Sequence, residues 1–211
     1  MALSGVAAIG GAALLAPLTH WLEPLAENSF SSRSGAFSLV EVEALERCVG
    51  LFRDWRSTGL GRAAVLGQLS DVCERLQQAP PGERTERVFL VAAELAKVAG
   101  SMAFDDGAHR AAQLHYVNAA RLAKAGGHTS FGAAALAALA RQSFDRGAAD
   151  DGLAIVQLAQ RSTRVSATPR LRALLAIREA WAYAQLGDVH RFRSAVDTAE
   201  ELHIPRVESD E

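Results

Sequence analysis

Residues 91–107 read Val-Ala-Ala-Glu-Leu-Ala-Lys-Val-Ala-Gly-Ser-Met-Ala-Phe-Asp-Asp-Gly, an apolar helical pattern that stops at a glycine. The same arrangement returns 40 residues later, where it stops at Gly147, and again at Gly187. Glycine adopts the left-handed turn that ends a helix, whereas other residues reach that conformation only with strain. The recurrence therefore predicts helix–turn–helix units with a period of about 40 residues.

Small and apolar residues recur in the same register around these turns. The small column before the glycines is Gly100, Ala140 and Ala180, and the columns after them are Tyr116, Val156 and Val196, then Ala119, Ala159 and Ala199. An alanine-rich chain aligns single alanines by chance, but chance explains several columns and a turn glycine poorly. The predicted units are 89–126, 129–166 and 169–204, with a diverged pair, 39–57 and 62–78, before them.

Local signals place the ends of several predicted helices. Ser38-Leu-Val-Glu41 fits a capping box, in which each end of the motif bonds the backbone of the other. Thr168 and Pro169 fit the cap and first turn of a helix. Abundant Ala, Leu, Arg, Glu and Gln favour helix elsewhere, because these side chains lose little freedom on a helix surface.

The two ends of the chain differ from this helical body. We expect residues 1–35 to form an apolar N-terminal helix or linker followed by a Ser-rich loop, 36–205 to form the repeat domain, and 206–211 to be an acidic tail. The apolar run of residues 2–18 contains three glycines and Pro17 and is shorter than the roughly 20 residues of a membrane span. A buried helix, a signal or anchor, and disorder stay open as interpretations of this run.

Charge and cysteine content bear on nucleic-acid binding and on the cellular compartment of the protein. Lys and Arg number 22 against 24 Asp and Glu, so a net charge of −2 gives no reason to expect direct nucleic-acid binding. Two cysteines, Cys48 and Cys73, are too few for a disulfide scaffold and favour free thiols in a reducing cytoplasm. We therefore expect a cytoplasmic protein and do not expect it to reside in a membrane.

The repeat columns resemble those of the tetratricopeptide repeat (TPR). The small residue of the first helix, the turn glycine, and the apolar residue and alanine of the second helix match that pattern. Ala96 and Ala176 replace the usual large residue near the start of the first helix, and only Leu136 partly matches it. The closing proline is absent and the period exceeds the usual value of about 34 residues. The resemblance implies an all-α, TPR-like superhelix of stacked antiparallel helix pairs.

A narrower resemblance covers roughly residues 10–204. The segments 11–18, 91–107, 111–126 and 168–188 are similar to the C-terminal sensory half of actinobacterial XRE-family transcriptional regulators. Those regulators carry an N-terminal helix-turn-helix, for which there is no room before residue 10, so DNA binding does not carry over. The resemblance implies either the regulatory part alone or a stand-alone relative that acts through another protein.

No catalytic or metal-binding motif is apparent in the sequence. The six histidines form no i, i+4 pair with another His or Cys, and no Cys-x-x-Cys motif is present. Neither a nucleophile elbow nor a phosphate-binding loop of the Walker type occurs. We therefore expect no enzymatic activity, no metal site and no cofactor.

The candidate binding residues lie on the first helix of each pair, which lines the groove in TPR arrays. The period aligns three of them and brings two others near that line: Ser101, Arg141 and Trp181, with Gln142 and Arg178 beside them. Arg pairs with carboxylates and Trp supplies flat apolar area, a combination suited to an extended peptide. The alternative is that Trp181 packs inside the stack and the stem of Arg141 merely covers apolar surface.

Two functions follow from these expectations. The first is a regulatory module that binds a peptide, protein or small molecule in its concave groove, as the sensory part of a transcriptional regulator. The second is a constitutive adaptor or scaffold that holds partner proteins without sensing. We also consider a homodimer, through whose contact the regulatory module would transmit ligand binding.

Overall fold

The computed structural model describes residues 35–55 and 61–203, and these residues form helices and no strands. Eight helices follow one another there: α1 (Leu39–Trp55), α2 (Arg62–Leu76), α3 (Glu83–Asp105), α4 (His109–Ala125), α5 (Thr129–Asp145), α6 (Ala149–Ser162), α7 (Pro169–Leu186) and α8 (Val189–His203). The prediction of an all-α chain is confirmed.

Parts of the predicted organisation lie outside the described residues. The apolar run of residues 2–18, nearly all of the segment 1–35, the predicted end of the first helix at 57 and the acidic tail 206–211 belong to them. Within the two described ranges, no helix combines the length and the hydropathy that crossing a membrane requires.

The helices of the second half of the chain begin at a constant interval. Starts at residues 109, 129, 149, 169 and 189 are 20 residues apart, so each helix pair occupies 40 residues. The predicted turn glycines Gly107, Gly147 and Gly187 have φ of 72°, 73° and 75°, the left-handed conformation that the repeat pattern requires. Gly127, which separates two units, has φ 76°.

The predicted helix ends are largely confirmed. The Ser38 amide donates to Glu41 Oε2 over 2.8 Å, and the Glu41 amide donates to Ser38 Oγ over 3.3 Å, which completes the capping box. Thr168 Oγ1 accepts from the Leu171 amide, and Pro169 begins α7. Helix α2 ends earlier than predicted, at Leu76 rather than 78, because bonds between residues three apart tighten the turn that follows it. Helix α6 ends at Ser162, before the predicted end of its unit at 166.

From α2 onwards, successive helices pack against each other, and the first helices of the pairs also contact one another. Contacts join α1 to α3, α3 to α5, and α5 to α7. Larger side chains from these helices and from α6 fill the space between them: Leu95, Leu136, Leu139, Ile155 and Leu175 are each at most 1% exposed. The alanine columns at 119 and 159 are fully buried, which lets the helix backbones approach closely.

Helix α1 is held by a small apolar face and by ion pairs. Val42, Val49 and Phe52 are buried, and burying such a side chain contributes roughly 1.5–3 kcal/mol. The ion pairs to α2 and α3 are Glu41–Arg75, Glu46–Arg87 and Arg53–Glu94. Because at least one side chain of each pair is more than 40% exposed, each pair contributes only about 0–1 kcal/mol. The apolar contacts therefore dominate the attachment of α1.

Candidate functional site

Three of the predicted site residues share one face formed by α5 and α7. The guanidinium carbon of Arg178 lies 5.7 Å from the centre of the Trp181 ring, and that of Arg141 lies 5.5 Å from the Phe104 ring. The Trp181 ring is also 5.6 Å from the Phe144 ring, at an interplanar angle of 31°. These five residues, here called the arginine–aromatic row, link the ends of α3 and α5 to the middle of α7.

The row holds more positive than negative charge. Asp145 Oδ2 lies 3.7 Å from Arg141 Nε, one helical turn away on α5. Burial lowers the pKa of Arg178, the nearby charge of Arg141 lowers it further, and Asp145 acts in the opposite direction. Two guanidinium groups therefore share the field of one carboxylate, which leaves the site suited to an additional anion.

Arg178 has unused hydrogen-bonding capacity. Its Nε is buried and has no hydrogen-bond partner within residues 35–55 and 61–203. A buried donor without a partner costs about 1–3 kcal/mol, and a ligand acceptor would recover that cost only after a side-chain movement that exposes Nε. Since a guanidinium binds a carboxylate through two parallel N–H groups, a carboxylate is the acceptor that fits best.

Gln142 does not reach the row, although it is adjacent to Arg141 in sequence. Its side chain is 1% exposed, and Nε2 donates to the His109 carbonyl oxygen over 2.8 Å, which ties α5 to the start of α4. Successive residues of a helix point about 100° apart, so neighbours of Arg141 face a different direction. The geometry gives Gln142 a structural contact between helices rather than a surface position.

Ser101 lies on α3, one turn before Phe104, and is half-buried. Its Oγ accepts a hydrogen bond from the Tyr116 hydroxyl over 3.3 Å. Its hydroxyl is thus already engaged by the second helix of its own pair. Of the five predicted residues, the structure brings together Arg141, Arg178 and Trp181.

Trp181 also forms one wall of an apolar groove between α7 and α8. The groove encloses about 790 Å³, and its larger side chains are Ile177, Trp181, Phe192 and Val196. Ile177 is 52% exposed and Phe192 is 37% exposed. The sequence analysis found Trp181 but missed Phe192, because Gly152 stands at the equivalent position of the preceding unit and no column marks it.

A second cleft, of about 690 Å³, lies between α6, α7 and α8. Glu179 lies in it, with Oε2 accepting from Gln160 Nε2 over 2.7 Å and Oε1 accepting from the Tyr183 hydroxyl over 3.1 Å. Burial and the Glu179 charge raise the pKa of Tyr183, so its hydroxyl stays protonated and donates. Sequence analysis missed this network because its members come from separate helices and form no motif.

The described residues offer no constellation for metal or thiol chemistry. No group of three or more His, Cys, Asp or Glu side chains is placed to hold a metal ion within the described ranges. Cys48 and Cys73 are both free, and burial raises the pKa of each thiol. A raised thiol pKa reduces the thiolate fraction and with it the nucleophilicity of the sulfur.

Comparisons with known proteins give no relative: no protein-family model, no curated protein and no solved structure matches this chain.

Proposed function

We propose that this chain is a non-catalytic binding module that takes an acidic, extended peptide or protein segment along the arginine–aromatic row. The main support is the charge arrangement beside the aromatic rings of Phe104 and Trp181. Asp145 forms an ion pair with Arg141 and also interacts electrostatically with Arg178. A ligand carboxylate would pair with Arg178, and an apolar ligand side chain would lie against Trp181. Arg and Trp are the residues most often responsible for binding energy at interfaces.

The finer architecture that we propose is a superhelix of lengthened TPR-like repeats. Support comes from the constant 20-residue interval between helix starts, the left-handed glycines and the contacts among α1, α3, α5 and α7. Arrays of this kind present the first helices of their units on one continuous surface. The row, which lies on those helices, would then belong to the groove surface.

As a biological role, we propose the sensory part of a cytoplasmic transcriptional regulator, with DNA contacted by an attached or partner unit rather than by this chain. Similarity of the quoted segments to the sensory half of XRE-family regulators supports this role. Ligand binding would act by favouring one of two curvatures of the repeat array. A constitutive adaptor would use the same row without such a shift.

Tryptophan fluorescence of Trp181 provides a direct test of ligand binding. Replacing Trp21 and Trp55 by Phe leaves Trp181 as the sole tryptophan. In that background, the chain is titrated with two peptides that differ only in having Glu or Gln at two positions beside a leucine. We expect the acidic peptide to change the emission and its Gln counterpart to bind at least about tenfold more weakly.

Variants separate the row from general surface charge. Arg141→Gln and Arg178→Gln should each weaken binding of the acidic peptide at least about tenfold, whereas Arg121→Gln, an exposed change on α4, should not. Equal binding of both peptides, or equal loss in all three variants, would overturn the proposal. A ligand that shifts the melting temperature favours sensing, whereas a protein partner that co-purifies stoichiometrically without such a shift favours the adaptor.

A further inference from the structure

The last helix pair, α7 and α8, exposes a face whose counterpart in the preceding pair is buried beneath the next helix. Helix α7 packs against both α5 and α6, where Ala137 and Val156 are at most 1% exposed. The residues that follow them by 40 positions are Ile177, which is 52% exposed, and Val196, which is only partly buried. The groove between α7 and α8 therefore has the apolar character of a surface against which another helix packs.

Charge is distributed unevenly along α8. Its N-terminal half carries the cationic residues Arg191 and Arg193, whereas its C-terminal half carries Asp197, Glu200 and Glu201. A second copy of this helix placed parallel would bring like charges together. An antiparallel copy brings the basic half of each helix against the acidic half of the other, so α8 is complementary to itself in that orientation alone.

Helical geometry specifies which charges would meet. With Val196 at the centre of the exposed stripe, Arg193 and Glu200 lie on the same edge, three residues before it and four after it. Both side chains are exposed, and Glu200 lines the groove. An antiparallel partner centred near Val196 therefore places Arg193 of one copy opposite Glu200 of the other, twice per pair.

We propose that the α7/α8 face is a self-association surface on which a second copy of this chain packs with its α8 antiparallel, about a two-fold axis near Val196. The stripe of Ile177, Phe192 and Val196 supplies the apolar contact, and two Arg193–Glu200 pairs specify orientation and register. A two-fold arrangement is the commonest among homo-oligomers and closes on itself. The proposal does not rest on acidic-peptide binding, although the row and the groove share Trp181. Charge reversal at Arg193 tests it without changing Arg141 or Arg178.

Sedimentation velocity of the full-length chain over a range of concentrations tests the proposal. We expect a reversible dimer in the unaltered protein. Arg193→Glu and Glu200→Arg each create like-charge contacts and should weaken dimerisation at least about tenfold, whereas the double variant should regain most of the original affinity. This restoration is specific, since only an antiparallel arrangement makes the two reversals compensate each other.

Two further variants guard against indirect effects. Val196→Glu places a charge at the proposed axis and should give a monomer with an unchanged circular dichroism spectrum. Leu114→Glu, at a residue of α4 that is 53% exposed, should leave the dimer intact. A monomer at every concentration, as expected if another segment of the same chain covers the groove, would overturn the proposal. So would a dimer that persists in Val196→Glu, or a double charge reversal that fails to restore affinity.

Discussion

The backbone of Gly100 lies directly against the ring of Tyr116: a Cβ at residue 100 would come within 2.8 Å of ring carbons Cδ1 and Cε1. The same two positions in the next unit are Ala140 and Val156. The unit with the smaller residue on its first helix, glycine instead of alanine, thus has the larger residue on its second helix, tyrosine instead of valine. The two columns of the repeat are complementary in volume, which keeps the distance between paired helices similar although the residues differ.

Replacing Gly100 by Ala tests this relationship. Tyr116 is 4% exposed and its hydroxyl is bonded to Ser101, so the ring cannot move aside freely. Overpacking costs about 1–3 kcal/mol, more than the gain of up to about 1 kcal/mol from the better helix former. We expect net destabilisation of up to about 2 kcal/mol in urea unfolding.

Gly67→Ala is the matched control for this change. Gly67 lies inside α2, and a Cβ there meets no atom within 4 Å. We expect it to stabilise the protein by roughly 0.5–1 kcal/mol. Adding Tyr116→Val to Gly100→Ala, which copies the pair of the next unit, should remove most of the overpacking. If Gly100→Ala is as stabilising as the control, the close packing is not significant.

The turn glycines should respond differently, because they have space but an unusual conformation. At Gly147, φ is 73° and an added Cβ would meet nothing within 4 Å. Gly147→Ala should cost about 1–2 kcal/mol from the left-handed backbone alone. Asn tolerates this conformation better, so Gly147→Asn should cost less. Equal unfolding free energies for the two variants would contradict this explanation.

Glu41 should make stability depend on acid pH. Hydrogen bonds from the Ser38 backbone, the Ser38 hydroxyl and Arg75 lower the pKa of Glu41 from 4.5 to about 2. A carboxyl whose pKa is lower in the folded state contributes stability above its unfolded pKa and loses that contribution as pH falls. The loss therefore occurs between about pH 4.5 and about pH 2.

The measurement compares urea midpoints of the unaltered chain and Glu41→Gln across this pH range. Because the other carboxyl groups titrate in both proteins, the difference isolates Glu41. We expect the unaltered chain to lose more of its midpoint than the variant does as the pH falls. If the urea midpoints of the two proteins fall in parallel with pH, ionisation of Glu41 does not contribute to stability.

Gln142 offers a test of its buried position. Gln142→Glu removes the N–H that bonds the His109 carbonyl and buries a carboxylate beside that oxygen, which should cost about 3 kcal/mol or more at neutral pH. Burial raises the pKa of the introduced carboxyl in the folded state. The deficit should therefore shrink as pH falls towards the carboxyl's ordinary pKa, where the acid can donate to the carbonyl.

Arg141→Gln, at the adjacent exposed position, is the control for this prediction and should change the unfolding free energy by only about 0.5 kcal/mol. Similar effects of the two changes would contradict the placement of residue 142 in the core. If the loss of unfolding free energy in Gln142→Glu grows as the pH falls, the burial of a charged carboxylate is not its cause.

Much of the fold could be predicted, because its determinants are local. The Ser38–Glu41 box, the Thr168–Pro169 start and Gly107, Gly147 and Gly187 act within one helical turn of their own positions. Site residues were harder to assign from the 40-residue register. That register aligned Arg141 with Trp181 in successive units. It does not say which way each side chain points around the helix axis, and this direction is what distinguishes the exposed Arg141 from the buried Gln142.

The sequence by itself determined where most of the helices begin and end and the interval at which they recur, since caps, turn glycines and apolar periodicity depend on neighbouring residues. Only the tertiary structure decided which side chains meet across helices. Arg178 lies beside Trp181 and interacts electrostatically with Arg141 and Asp145 of α5. Glu179 accepts hydrogen bonds from Gln160 and Tyr183. Phe192 lines an open groove. Burial and charge at these places depend on the packing of distant segments, which no local pattern in the chain encodes.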